Sequence, residues 1–547
     1  MTLPPPAPAP NDHTSRRTAL KLGLLGLAGA GTPALGLVPR GFSHGVASGE
    51  PGPDRVLLWT RFPASQDTTI KWEMAEDDAF TRIAAHGEAT ASPANDCCVK
   101  VWAKGLKPGR WYNYRFIAPN GIKSVIGRTR TLPVGKVAKF RMAVFSCSNL
   151  GFGFFNAYAH AVQAGEFDLA VHLGDYFYEY KRGDYPSDKQ ALPGREAPPD
   201  EAVTLEGYRD RFRTYRSDPD LQRLHQALPM VAMWDDHETS NDTWKNGAEN
   251  HDASEGDWAT RKALSEKVYR EWMPVSDDYY TGYEIGRLAT LFKLESRHLA
   301  RSEQLDMLGV VAKAAPGEAE KALAVFRDGA WRAPDRTLLG AKQEAWLARS
   351  LGASVKAGKP WQVLGQEVVM GQVLMADKIF ETMPADSPAW LKSRIAGNVA
   401  AGHAGVPINM DSWDGYPAAR NRLYRASLNA GANLVVLSGD SHNAWAFDHE
   451  FKGHRVGVEM GGHSVTSPGY EGSVRWMQPG DLARETMTRN PLLKWADMSQ
   501  RGYMAIELTP SSATSEWRFM TTVRQQGTAL AGVKRMTVLA GQRKYSV

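Results

Sequence analysis

Four short apolar runs constrain this chain more than any other feature. They are Phe140-Arg-Met-Ala-Val-Phe145, Asp168-Leu-Ala-Val-His-Leu173, Pro229-Met-Val-Ala-Met-Trp234 and Asn433-Leu-Val-Val-Leu437. Runs of this length with little polar alternation fit strands buried on both faces. Helical patterns lie among them, at Tyr208 to Tyr215, Gln343 to Leu351 and Arg420 to Ala430. The alternation predicts an α/β domain, and such domains bind ligands beyond the carboxyl ends of their strands. With 43% hydrophobic and 23% charged residues over 547 positions, the chain has the make-up of a globular protein. Disorder, collagen and coiled coil are excluded for the whole.

The segment after each run is chemically rich. The first run ends in Ser146-Cys147-Ser148-Asn149 and the second in Gly174-Asp175-Tyr176-Phe177-Tyr178-Glu179-Tyr180. The third ends in Asp235-Asp236-His237-Glu238-Thr239-Ser240-Asn241, and the fourth in Ser438-Gly439-Asp440-Ser441-His442-Asn443. Taken singly, a Gly-Asp after a strand is a turn, Tyr178 is core, Cys147 is an inert buried thiol and His442 is a surface histidine. Four such endings in one domain bring a thiol, a phenol, two histidines and several carboxylates to one crevice. A thiolate and a phenolate beside a histidine suit a transition metal, and the phenolate favours Fe(III). Asp236, Asn241 and Asp440 offer oxygen alone and suit Ca, Mg or Mn. Asp175 has two oxygens and can bridge both kinds of ion.

The rest of the chain divides by texture. Residues 1–40 open with a proline-rich stretch, then Thr14-Ser-Arg-Arg-Thr-Ala-Leu-Lys21 and a charge-free, glycine-containing run to Pro39. That order is expected of a removable signal; the glycine-containing run is less apolar than a membrane span and at the short end of one, which makes a membrane-anchoring helix the lesser alternative. Residues 41–133 carry short β-prone segments at Val56 to Thr60, Thr69 to Glu73, Val99 to Trp102 and Trp111 to Phe116, set between Pro/Gly turns. They predict a small all-β sandwich. The main α/β domain is expected over 140–520, with 243–409 as helical insertions and site-covering loops, and 521–547 as a tail. Three cysteines cannot build a disulfide framework or a four-cysteine zinc site, and a net charge of +5 leaves no nucleic-acid footprint.

Phe42-Ser-His-Gly-Val-Ala-Ser-Gly-Glu-Pro51, Trp59-Thr-Arg, Ser146-Cys147-Ser148, Gly174-Asp175-Tyr-Phe-Tyr178-Glu179, Trp234-Asp-Asp-His-Glu238 and Gly439-Asp440-Ser-His442 closely resemble the PhoD-type alkaline phosphatases, within the calcineurin-like metallophosphatases. The resemblance implies an α/β (α+β) metallophosphatase-like central sandwich domain preceded by the small all-β sandwich. It also implies hydrolysis of phosphomonoesters and phosphodiesters by metal-activated water, with Fe(III) and one or two Ca(II) ions. By that likeness iron takes Cys147, Asp175, Tyr178 and His442, and calcium takes Asp175, Asn241 and Asp440. Ser15-Arg16-Arg17-Thr18-Ala19-Leu20-Lys21 resembles the twin-arginine export motif, implying the twin-arginine machinery as a partner and a periplasmic or extracellular destination.

Two departures bear on the ligand set. Asp235-Asp236-His237-Glu238 stands where the superfamily has Gly-Asn-His-Glu, so either Asp236 or Asn241 fills the amide-type position. His463 stands where threonine is expected, either reaching phosphate or serving as a loop histidine. For catalysis, His237 is the candidate proton donor to the leaving oxygen. Arg297 is a candidate phosphate-gripping residue, with a solvated helix arginine as the alternative. Phospholipid or teichoic-acid-like esters, a phospholipase D-like diesterase, and a non-catalytic envelope iron protein stay open as readings. Gly151-Phe-Gly153 lacks the last glycine of a dinucleotide fingerprint, and no phosphate-loop Gly-Lys-Ser/Thr occurs.

Overall fold

Each predicted strand and helix forms, within a few residues of its expected ends. A computed structural model describes residues 41–546, so the signal-like segment lies outside the described residues. The first seven strands are β1 (Val46–Gly49), β2 (Arg55–Arg61), β3 (Thr68–Ala75), β4 (Ile83–Ala91), β5 (Cys98–Lys104), β6 (Trp111–Ile117) and β7 (Gly127–Arg130). Next come β8 (Phe140–Phe145), β9 (Leu169–His172) and β10 (Pro229–Ala232). A second group holds β11 (Thr281–Ile285), β12 (Ala289–Lys293), β13 (Trp361–Gly365), β14 (Leu434–Ser438), β15 (Ala444–Phe451), β16 (His454–Gly461) and β17 (Leu493–Asp497). The chain closes with β18 (Gly502–Leu508), β19 (Ser512–Met520) and β20 (Leu530–Leu539).

These strands make three sheets. The largest has nine strands in the order β20-β19-β18-β8-β9-β10-β1-β2-β5. The second has seven, β11-β12-β13-β14-β16-β15-β17, and the third is β4-β3-β6-β7. The two large sheets face each other, because alternate side chains of β8 point opposite ways. Phe140, Met142 and Val144 enter the core shared with Leu291, Val363, Val435 and Met460 of the second sheet. Ala143 and Phe145 face the helices Asn156–Ala164, Leu205–Tyr215, Pro219–Ala227 and Trp258–Trp272. Burying Phe145 alone is worth about 1.5–3 kcal/mol. The helices Gly340–Lys356 and Pro417–Ala430 cover the outer face of the second sheet. The result is two β layers between two helical layers, an α+β architecture with an all-β N-terminal part.

Three features depart from the sequence expectations. Residues 41–133 pack as a sandwich around Val46, Leu58, Trp72, Tyr114 and Phe116, but one layer, β1, β2 and β5, is continuous with the nine-stranded sheet. Residues 243–409 hold β11, β12 and β13 as well as helices and loops. Their polar flanks hid strands that the fold buries. Residues 521–547, expected as a tail, supply β20, which pairs with β19 over Ser512↔Leu539 to Met520↔Leu530.

Strand direction sets the site. β8, β9 and β10 are mutually parallel, as are β12, β13 and β14, so each set delivers its carboxyl ends together. The two sets meet where Gly439 N donates to the Glu367 carbonyl at 2.6 Å and a Gly439 Cβ would fall 2.7 Å from Ser146 Cβ.

Candidate metal centre

The strand ends converge on three overlapping groups of ligand atoms. Cys147, Asp175 and His442 form one, Asp175, Asp236 and His237 the next, and Asp235, Asp236 and Asp440 the third, with the atoms of each group within 4.8 Å of one another. Asp175 joins the first two groups and Asp236 the last two. Tyr178 belongs with the first: its Oη donates to Asp175 Oδ2 at 3.0 Å and lies 3.1 Å from His442 Nε2.

Backbone strain marks the same positions. Cys147, Asp175, Asp440 and His442 have φ of 58°, 53°, 62° and 61°, in the left-handed region that non-glycine residues avoid. Each such residue costs on the order of 1–3 kcal/mol, held in place by its surroundings. Those surroundings are specific. Cys147 N donates to Gly174 O and Ser148 N to Asp175 O, tying the first loop to the second. Buried Glu238 accepts from Asp175 N, Tyr176 N and Asp235 N at 3.1, 2.6 and 2.8 Å, clamping the second loop to the third. Gly174, at φ 102°, lets the chains touch, since a Cβ there would lie 2.4 Å from Asp235 Cβ.

Burial dominates the electrostatics. It pushes the carboxyls of Asp175 and Asp440 well up, and neighbouring aspartates add to the rise. It lifts Asp235 to about 6 against the pull of Arg297. Burial also acts to raise Asp236, but Arg297 and His237 outweigh it and hold that carboxyl below its usual range. The Cys147 thiol and Tyr178 phenol are driven up by burial and then by Asp175, and His442 is driven down to about 3 by burial. Four carboxylates thus share a dry space with Arg297 and His237, and Asp175 Oδ1, Asp235 Oδ2 and Asp236 Oδ1 have no hydrogen-bond partner. Such an acceptor-rich, cation-poor cluster fits multivalent metal ions.

The remaining expected residues divide. His237, a member of the second group, has Nδ1 2.7 Å from Glu179 Oε2, and its Nε2 makes no hydrogen bond among the described residues. Burial alone would lower its pKa, but Asp236, Glu179 and Asp175 raise it well above the usual value. Asn241 is held at the rim, its N–H donating to Glu179 Oε1 and its Nδ2 to Glu249 Oε2 at 2.6 Å. Arg297 is neither helical nor solvated. It is fully buried, pairing with Asp235 at 2.5 Å, Asp411 at 2.8 Å and Asp236 at 3.6 Å. His463 is buried against the Arg518 carbonyl, 3.1 Å away, as a loop histidine. Sequence reasoning passed over Asp235 as a ligand and Glu179 and Glu238 as supports, although all three stand in the segments that end the strands. Asp411 carries no local signal, because only the fold brings it to Arg297.

The family described as PhoD-like phosphatase matches residues 142–517, and its N-terminal domain matches residues 32–133. Alkaline phosphatase D of Bacillus subtilis (strain 168) is 32% identical over 517 residues, spanning 90% of this chain and 79% of that protein. The solved structure of PhoD superposes with a TM-score of 0.75 at 28% identity, covering 94% of this chain and 93% of the other. The motifs, the fold and the comparisons agree: this chain belongs to the PhoD-like phosphatase family.

Proposed function

We propose that this phosphate-ester hydrolase is a metal-dependent, exported enzyme acting on phosphomonoesters and phosphodiesters. The observation that carries the metal dependence is the run of three ligand groups sharing Asp175 and Asp236. Cys147, Tyr178 and His442, with Asp175, would hold Fe(III), and Asp175, Asp236 or Asn241, and Asp440 would hold Ca(II), one ion or two. When bound, such ions activate water and offset negative charge at phosphorus. The chain's own residues do the rest. His237, oriented by Glu179 and kept protonated by Asp236, Glu179 and Asp175 together, donates a proton to the leaving oxygen. Arg297 holds Asp235, Asp236 and Asp411 apart and in register. A non-catalytic iron protein would have no use for the all-oxygen group of Asp235, Asp236 and Asp440. Residues 1–40 serve as the twin-arginine signal, 41–133 as the β part, and the α/β region from 140 onward as the catalytic part. Phospholipid or teichoic-acid-like esters are the candidate physiological substrates.

Protein purified without added metal should contain iron and be coloured, since thiolate and phenolate donate charge into Fe(III) at visible energies. Tyr178→Phe should shift the band and leave partial turnover of p-nitrophenyl phosphate. A colourless, iron-free and fully active enzyme would defeat the iron assignment.

A further inference from the structure

Two grooves have wall residues that touch those around the centre, and their linings carry opposite charge. One, of about 500 Å³, is walled by Tyr180, Tyr185, Asp184, Glu201, Glu249 and Asp252; Glu201 is paired with Arg261 and Asp184 with Lys181, while Glu249 and Asp252 form no ion pair among the described residues. The other, of about 520 Å³, carries Lys189, Arg501 and Arg524 and has no carboxylate in its lining. Phe152 of the basic groove and Tyr185 of the acidic one pack edge to face at 4.8 Å, forming the partition.

The basic groove abuts the reaction centre through Thr466 and Pro468, both in its wall. Pro468 O lies 2.8 Å from His442 Nδ1, and Thr466 N donates to Cys147 O. Arg501 is paired with Glu471. Arg524 spends Nη1 on the carbonyls of Phe152 and Gln190, at 2.9 and 2.8 Å, which uses donors without cancelling its charge. Lys189 is exposed, and neither it nor Arg524 forms an ion pair among the described residues. Two cations without an ion pair therefore line a groove whose wall residues Thr466 and Pro468 are hydrogen-bonded to Cys147 and His442.

Resting on the phosphoesterase reading, we propose that the basic groove binds a second phosphate carried on the substrate's ester substituent. The acidic groove repels that group, so the pair fixes which way round a diester lies. Charge lining a partly enclosed groove acts on a ligand more strongly than the same charge on open surface.

The test uses three p-nitrophenyl phosphodiesters that differ only in the second substituent: propyl, 3-phosphopropyl and 3-(trimethylammonio)propyl. The 3-phosphopropyl ester should show kcat/KM about ten-fold above the propyl ester at low salt, with the preference fading as salt screens it. The cationic ester should show no such gain. Lys189→Glu and Arg524→Gln should each lower the 3-phosphopropyl value by about ten-fold and the propyl value by less than about two-fold, with Arg524→Lys restoring the preference. Calorimetry with propane-1,3-diyl bisphosphate against propyl phosphate gives a readout free of turnover. Equal kcat/KM for the propyl and 3-phosphopropyl esters, or variants that depress both alike, overturns the groove assignment and leaves the hydrolase standing. Preferential bisphosphate binding, lost in Lys189→Glu, without hydrolysis of any ester supports the groove and sinks the hydrolase reading instead.

Discussion

At the residue scale, Asp175 and the Glu179–His237 pair bear the heaviest demands. Asp175 sits at φ 53°, which asparagine tolerates better than other neutral residues with a side chain, so Asp175→Asn isolates charge from backbone. We expect metal content of both kinds to drop and turnover to fall at least about 100-fold, because the shared ligand loses its anionic oxygen. The metal-free variant should melt no lower than metal-free wild type, since the change removes a buried carboxyl crowded by Asp235 and Asp236. Elemental analysis and thermal melts check both. Glu179→Gln leaves an acceptor for His237 but removes one of the three carboxylates, with Asp236 and Asp175, that raise its pKa. Loss of general acid catalysis is worth roughly 10²–10⁴-fold. The loss should be large for alkyl phosphates and small for p-nitrophenyl esters, whose leaving group needs no proton. Equal loss for both would assign the pair to positioning.

At the element scale, the site is a junction of loops at the ends of parallel strands. The strands themselves were legible: unbroken apolar runs such as Ala143-Val144-Phe145 have no other stable home than a sheet covered on both sides. The ligand loops were legible too, because thiol, phenol, histidine and carboxylate at four strand ends narrow the chemistry sharply. The features that stayed hidden depend on distant partners. β12 and β13 lie in polar-flanked sequence, and their burial comes from the facing sheet. Arg297 looks like a surface arginine until Asp411, 114 residues away, is folded against it. Gly174 tests the junction. Its φ of 102° and the 2.4 Å approach to Asp235 predict that Gly174→Ala forces the β9 and β10 loops apart. We expect a loss of about 2–4 kcal/mol of stability in denaturant titrations, with metal binding weakened. Wild-type stability in that variant would show that the two loops adjust independently.

At the scale of the whole molecule, acid should loosen the fold through its buried imidazoles. His172 is fully buried against Tyr158, and burial lowers its pKa from 6.5 to about 3. Below pH 6.5 the unfolded chain takes up a proton that the native one refuses. The stability this residue confers is thus complete above pH 6.5 and is lost as pH falls from there toward 3, by about 1.4 kcal/mol per pH unit. His172→Gln should flatten the pH dependence of urea unfolding between pH 6.5 and 5 relative to wild type. An unchanged slope would mean that His172 is solvated on a faster route than global unfolding.

The pairing of β18 with β8 has a consequence for biosynthesis. Met504 lies opposite Val144 and Leu508 opposite Phe140, so the first of the parallel strands of the nine-stranded sheet is flanked by one made near the end of translation. At roughly 5–20 residues per second, a ribosome needs roughly 20–70 s to travel from one to the other. Throughout that interval β8 offers an apolar edge with nothing on its β18 side. A chain cut before residue 502 lacks the strand that covers this edge, so it should bind hydrophobic dye and be cut by protease where the full chain is not.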